Sequence, residues 1–234
     1  MSSKIYQKTD KAVVILSGGL DSSMNLFLAK EELNVVKAIT FDYGQRAAQK
    51  EIEAAMTLAR GFHIDHQVIE VKWMKAFGGS ALLDESSEIP TKNVEIDDLN
   101  QSFKTAKSVW VPNRNGIFLN IAAGVAEAAG AQFIIPGFNK EEAATFPDNS
   151  EDFLLAMDRS LAFSTANQVK TLCFTADKNK SEIVAIGKQK KFPFEKLWSC
   201  YFAGAKWCGV CESCQRLKRA LSANSLDLRD HFLE

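Results

Sequence analysis

The chain has 234 residues, 46% of them hydrophobic and 24% charged, which is enough for one large α/β domain or two small ones around a real core. Its 28 Lys and Arg against 29 Asp and Glu leave a formal charge of −1, so no global field gathers polyanions and nucleic acid is not the expected partner. Met1 to Lys8 hold no apolar signal core, and apolar runs such as Ala12 to Leu16 are far too short to span a bilayer, so a cytoplasmic chain without a membrane partner is expected.

Taken in chain order, Lys11 to Leu16 is β-branched and apolar and predicts a buried parallel strand that empties into Gly18-Gly19. Ser22 to Leu33 predicts a helix, Val35 to Phe41 a second strand, and residues 47–60 a second helix after a polar turn. Gln67 to Val71 predicts a third strand. Residues 72–108 carry Gly78-Gly79, Pro90 and an acidic stretch without a sustained period, and predict an irregular insertion acting as a lid. Order returns with an Ala-rich helix over 114–129 and a strand over Ala131 to Ile135. A helix over 151–163, a strand over Lys170 to Phe174 and a helix over 181–190 complete the alternation. Such alternation predicts a doubly wound, mostly parallel α/β sheet over residues 1–192 with ligands at the carboxyl ends of its strands. Residues 193–234 read as a Cys-rich segment packed on that domain and closed by a short helix over 212–221.

The loop Leu16-Ser17-Gly18-Gly19-Leu20-Asp21-Ser22-Ser23 joins the first strand to the first helix. Bare amides and hydroxyls at a helix start favour an anion, and glycines let a phosphate approach the backbone. The loop lacks the Gly-Lys-Ser/Thr ending of a Walker motif and the third glycine of the dinucleotide fingerprint. Asp21 beside a phosphate requires Mg²⁺ between the two anions. The plain alternative is a tight turn with Asp21 or Ser22 as N-cap. Ser17 to Ser22 resembles the pyrophosphate loop of the N-type ATP pyrophosphatases. That resemblance implies that ATP is split between its α- and β-phosphates to adenylate a substrate.

Four of the five cysteines, Cys200, Cys208, Cys211 and Cys214, form C-x₇-C-x₂-C-x₂-C, whose overlapping C-x₂-C steps suit one tetrahedral ion. A structural Zn²⁺ is the first expectation and an iron–sulfur cluster the alternative. Cys173 stands apart in an apolar strand and reads as a core residue.

Loop and cysteines together resemble the 7-cyano-7-deazaguanine synthase family of the queuosine pathway over nearly the whole chain. The resemblance is carried by Phe41-Asp42-Tyr43-Gly44-Gln45-Arg46, by Val111-Pro112-Asn113-Arg114-Asn115 with Phe118-Leu119, by Lys180 with Glu182-Ile183, and by Trp198-Ser199-Cys200-Tyr201 followed by Cys208-Gly209 and Ser213-Cys214. It implies that 7-carboxy-7-deazaguanine is adenylated, attacked by free ammonia to give an amide, adenylated again and dehydrated to the nitrile. It also implies a homodimer. Asp21, Arg46 and Arg114 are the candidate catalytic residues, the two arginines as charge partners for carboxylate or phosphate. Each arginine could equally be a salt-bridge or capping residue. Asp42 could bind Mg²⁺ or shape its turn, and the backbone of Thr40 to Tyr43 is a candidate adenine contact.

The chain departs from the family over 142–150. Glu142 to Ser150 keeps Pro147-Asp148 but lacks the Tyr, Ser, Gly, Cys and Arg of the usual Asp-Tyr-Ser-Gly-Tyr-Pro-Asp-Cys-Arg, and Ala47 replaces a His. This motivates an alternative that stops at the amide or transfers the activated deazaguanine to another acceptor such as a protein. A tRNA-modifying ATP pyrophosphatase is a further alternative, disfavoured by the near-neutral charge.

Overall fold

The computed structural model describes residues 6–84, 86–91, 96 and 105–233. Five parallel strands form one sheet: β1 (Lys11–Ile15), β2 (Asn34–Asp42), β3 (His66–Glu70), β4 (Phe133–Ile135) and β5 (Lys170–Thr171), in the order β3-β2-β1-β4-β5. Between them run α1 (Leu20–Glu32), α2 (Ala48–Gly61), α3 (Arg114–Ala128), α4 (Lys140–Ala143) and α5 (Glu151–Ser164), and after β5 come α6 (Lys180–Gln189) and α7 (Glu212–Ala223). The expected doubly wound α/β architecture is present.

β1 is the central strand, and Ala12, Val13 and Val14 are wholly buried because both neighbours and both sheet faces cover them. α1 packs on β1, β2 and β4 and touches α6. α3 packs on β1 and β4 and touches α5, so the helices close the sheet in two separate groups. α3 suits its place: Leu119, Ala122, Ala123 and Ala126 are small or apolar at helical spacing and fully buried. In α5 the hydroxyl of Ser150 accepts from the Phe153 amide at 3.1 Å, Glu151 and Asp152 favour the helix start, and Leu154, Met157 and Leu161 bury one face.

The sequence expectations need local corrections. α1 starts at Leu20 rather than Ser22, and its N-cap is Gly19, so neither Asp21 nor Ser22 caps it. β5 pairs only at Lys170 and Thr171, because beyond Leu172 the strand leaves the sheet and the Phe174 amide donates to the Asn25 side chain at 2.7 Å. The four-residue α4 was not foreseen; Asn139 caps it by accepting from the Glu142 amide at 3.0 Å. Much of the insertion expected at 72–108 lies outside the described residues. Its described start is packed: Met74, Ala81, Leu82 and Leu83 are buried, and the Arg46 amide donates to the Leu82 carbonyl at 3.1 Å.

The chain winds outward from β1 to β3, then returns to β4 on the other side of β1. The strand order reverses between β1 and β4, and a crevice at their carboxyl ends follows from that topology.

Candidate active site

A cleft with a cavity volume of about 240 Å³ opens at this reversal point, lined by the loop after β1, the turn after β2, the start of α3, the Pro136-Gly137 turn and the Trp198 to Tyr201 segment. Every residue of the Leu16 to Ser22 loop except Gly18 lines it. Ser23, expected to act with them, is itself wholly buried in the first turn of α1 and does not line the cleft.

The loop is held by its own hydroxyls and by its neighbours. Ser22 Oγ accepts from the Ser17 amide at 3.1 Å and lies 3.0 Å from Ser17 Oγ. Gly19 caps α1 without a side chain, so the amides of Leu20, Asp21 and Ser22 have neither an intrahelical partner nor a side-chain cap. These groups and the helix dipole make a positive pole that suits a polyphosphate. Gly18 has φ +78°, and a Cβ built there would stand 2.8 Å from Ala54 Cβ and 2.9 Å from the Glu51 carbonyl oxygen. Gly137 is as tightly placed: its Cβ would lie 2.4 Å from the backbone nitrogen of Ser22.

A prediction follows for Gly137→Ala. The collision is with backbone, so the turn after β4 must retreat from the helix start, and ATP-dependent turnover should fall by roughly 10²-fold while the fold persists. Steady-state AMP release with circular dichroism checks both parts. Unchanged turnover would show that this close approach does not shape the site.

Behind the loop sits a buried charge cluster. Lys180 Nζ lies 2.7 Å from Asp21 Oδ2 and 2.8 Å from Glu142 Oε1, with its side chain 6% exposed. Burial works against its charge, but the two carboxylates outweigh that and hold its pKa above the ordinary lysine value. Asp21 Oδ1 is buried without a hydrogen-bond partner among the described residues, an acceptor left free on the cleft wall. The cluster continues outward. The Lys180 amide donates to Glu141 Oε1 at 2.8 Å, Arg216 Nη1 lies 3.1 Å from Glu141 Oε2, and Arg216 Nη2 lies 2.8 Å from Glu212 Oε1.

The opposite wall comes from the ends of β2, α2 and α3. Asn113 is left-handed at φ 52°, a conformation asparagine tolerates, and it sets Arg114 at the start of α3. The Arg114 guanidinium lies 5.9 Å from the Tyr43 ring centroid. Arg46 lines the cleft, donates through Nη2 to the carbonyls of Asp84 and Ser87, and keeps Nε buried without a partner among the described residues. Asp42 faces elsewhere: its Oδ1 accepts from the Gly44 amide at 3.0 Å and its Oδ2 pairs with Lys72 at 3.1 Å, which shapes the turn. The departing segment supplies Glu142, Phe146 and Asn149 to the cleft, and Phe146 stacks on Trp110 with ring centroids 6.1 Å apart.

The four cysteines converge. The sulfurs of Cys200, Cys208, Cys211 and Cys214 lie within 4.8 Å of one another. Backbone amides point at them: Phe202 and Cys208 donate to Cys200 Sγ at 3.4 and 3.3 Å, and Cys211 to Cys208 Sγ at 3.3 Å. Such donors stabilise thiolates, and the donor set fits a metal ion. Cys173 lies away from them, half-buried, with its thiol 3.5 Å from the Phe138 carbonyl oxygen. The cysteine segment docks on the phosphate loop itself, because the Trp198 amide donates to the Gly18 carbonyl at 2.8 Å.

A family profile described as "Queuosine biosynthesis protein QueC" matches residues 11–225. The chain belongs to that family. Among its QueC relatives is the 7-cyano-7-deazaguanine synthase of Bdellovibrio bacteriovorus, 54% identical over 230 residues that cover 97% of this chain and 100% of the relative. The synthase of Desulforamulus reducens is 51% identical, covering 95% of this chain and 98% of the relative. That of Methanosarcina mazei is 44% identical, covering 96% of this chain and 98% of the relative. The expected family resemblance is therefore borne out over the full span of the site. Sequence reasoning did not foresee the roles of Glu51, Glu142, Glu212 and Arg216, which reach the cleft from three separate helices, or of Glu141 behind them. The only local signal was the placement of the four glutamates in the first turn of a helix.

Proposed function

We propose that this QueC-family enzyme converts 7-carboxy-7-deazaguanine and ammonia into 7-cyano-7-deazaguanine with two molecules of ATP. The observation that carries this reading is the uncapped start of α1 at the sheet's reversal point, in a chain whose full-length relatives are 7-cyano-7-deazaguanine synthases. The loop Leu16 to Ser23 binds the pyrophosphate of ATP through the α1 amides, and the substrate carboxylate attacks the α-phosphate. Carboxylate and amide oxygens are poor leaving groups until a phosphate ester replaces them, so the same loop serves both activations. Arg114 and Arg46, on the far wall of the cleft, neutralise the carboxylate and the developing phosphate charge.

Asp21 would hold Mg²⁺ through its unpartnered Oδ1, and the ion would supply charge neutralisation at the phosphates. Cys200, Cys208, Cys211 and Cys214 hold a structural Zn²⁺. Zn–S bonds of about 2.3 Å in a tetrahedron give edges of about 3.8 Å, and Cys208 Sγ lies 3.9 Å from Cys214 Sγ. Sulfurs within 4.8 Å of one another support a single ion over an iron–sulfur cluster, which carries its thiolates on the outside of a larger body.

In this reading residues 1–192 form the ATP-binding domain and 193–234 the zinc segment packed on it. The enzyme works as a cytoplasmic homodimer on free ammonia, without nucleic acid. No helix among the described residues is long and apolar enough to cross a membrane. Mass analysis of products from the purified chain with 7-carboxy-7-deazaguanine, ammonium, Mg²⁺ and ATP tests the reaction. The nitrile is expected; amide without nitrile, or a protein conjugate, would overturn it.

A further inference from the structure

The proposed chemistry releases protons that need an acceptor. When ammonia attacks the adenylated carboxylate, a C–N bond forms and the C–O bond to AMP breaks, AMP leaving with the bonding pair. The nitrogen must then shed one proton to become the neutral amide. In the second half the amide oxygen displaces pyrophosphate from ATP, the C–O bond to AMP breaks again, and both remaining N–H protons are lost as the nitrile forms. A base in the cleft is required at each of these steps.

Four carboxylates line the cleft: Asp21, Glu51, Glu142 and Glu212. Three are engaged with cations, Asp21 and Glu142 with Lys180 and Glu212 with Arg216. A carboxylate held by a buried cation takes up a proton only by giving up that ion pair. Glu51 forms no ion pair among the described residues. Its Oε2 accepts from Gln45 Nε2 at 2.8 Å, and that amide is itself fixed, because Gln45 Oε1 accepts from the Tyr43 amide at 3.0 Å and Nε2 also donates to the Phe41 carbonyl at 3.2 Å. Oε2 therefore stays an acceptor, and Oε1 is the oxygen free to carry a proton. The residue also stands beside the reacting loop: Glu51 lines the same cleft, and its backbone oxygen lies 2.9 Å from the Cβ position of Gly18.

Resting on the function proposed above, we infer that Glu51 is the proton acceptor for the nitrogen in the ammonia-dependent and dehydration steps, oriented by Gln45. Its environment suits the task. Burial raises its carboxyl from 4.5 to about 7, against the lowering pull of the Gln45 hydrogen bond and of Arg114 on α3, while Asp42 at the end of β2 adds to the rise. Tyr43, in the turn after β2, is the remaining titratable group coupled to it, and burial keeps that phenol neutral by raising its pKa. A base of this strength takes a proton near neutral pH and releases it again to solvent.

The test compares the full-length enzyme with Glu51→Gln and Glu51→Asp, at a fixed concentration of unprotonated ammonia across pH 5.5 to 9. Wild-type turnover should rise through an apparent pKa of about 7, matching the raised Glu51 carboxyl. Glu51→Gln, which keeps the Gln45 contact, should lose roughly 10²-fold or more in amide and nitrile formation and lose that acidic limb. Glu51→Asp should recover part of the rate with a displaced limb. Thermal unfolding supplies an independent reading. Gln mimics the protonated acid at every pH, so its stability gain over wild type should grow as pH rises from about 4.5 to about 7 and level off above, where the wild-type carboxylate is charged. Glu51→Gln with at least a third of the wild-type rate and an unchanged limb would overturn the inference. Failure of the wild type itself to make amide or nitrile would instead overturn the function on which it rests.

Discussion

Lys180→Met is expected to destabilise the protein by about 3–5 kcal/mol near neutral pH, because it strips the cation from two carboxylates that have no other charged partner so close among the described residues. Methionine fills much of the lysine volume, so the loss reflects charge rather than a cavity. The pH dependence gives the sign. In the wild type the raised Lys180 pKa means that its stabilisation is complete below the unfolded value of 10.5 and fades only as pH rises further. In the variant, Asp21 and Glu142 face each other without the ammonium, so folding favours their protonated forms. The deficit should then shrink as pH falls toward their unfolded values. Urea unfolding between pH 4.5 and 8 reads this directly. ATP turnover should fall by roughly 10²–10³-fold as well, since Asp21 is no longer held at the phosphate loop. A variant within 1 kcal/mol of wild type at pH 8 would contradict the assignment of Lys180 as the keystone of the charge cluster.

Cys211→Ser is expected to release the bound metal and loosen the segment from Trp198 to the C-terminal 3₁₀ turn at Arg229–His231. Cys211 is fully buried and is the N-cap of α7, so the substitution removes one ligand at the point where the helix begins. Structural zinc contributes apparent binding energies of about 10–16 kcal/mol in small domains, and here the segment has two further anchors, the Trp198 to Gly18 hydrogen bond and the Arg216 to Glu141 ion pair. Trp198 and Arg216, the segment's side of both anchors, line the cleft, so loss of metal should also abolish turnover. Metal analysis should find zinc in the wild type and almost none in the variant, and limited proteolysis should cut the variant after residue 198 while sparing the sheet. A protease-resistant, fully active Cys211→Ser would show that the cysteines are not a folding element. Iron and acid-labile sulfide in place of zinc would replace the ion but leave the anchoring argument intact.

The sheet was legible because its information is local. Val13, Val14 and Ile15 are β-branched and end at a glycine pair, and the same strand-to-turn pattern recurs at Phe41-Asp42 and at Ile135-Pro136. The metal cluster was legible for the same reason, since spacing alone brings Cys208, Cys211 and Cys214 within reach of one ion. The ends of elements were less so. β5 stops early because the Asn25 side chain, far away in sequence, captures its backbone, and no window around Lys170 contains that fact. The charge cluster shows the same limit: Asp21, Glu142 and Lys180 come from three helices, Lys180 lying 159 residues after Asp21, and only the reversal of strand order brings them together. Asn113 is the instructive case in the other direction. Asparagine is one of the few residues that accepts a left-handed backbone, and at φ 52° it forms the turn that sets Arg114 at the start of α3.

The altered stretch over 142–150 also gains a physical reading. Glu142 joins the Lys180 cluster, and Phe146 stacks on Trp110 at the cleft wall, so the segment is built into the site rather than eroded from it.

The central claim is that the loop Leu16 to Ser23 directs attack at the α-phosphate of ATP by a deazaguanine carboxylate. The most direct measurement is the fate of ATP in the presence of Mg²⁺ and 7-carboxy-7-deazaguanine, with and without ammonium. AMP and pyrophosphate should form only when the carboxylate is present, and with ammonium two AMP should accompany each nitrile. ADP and inorganic phosphate, or AMP formed at the same rate without the deazaguanine, would contradict it.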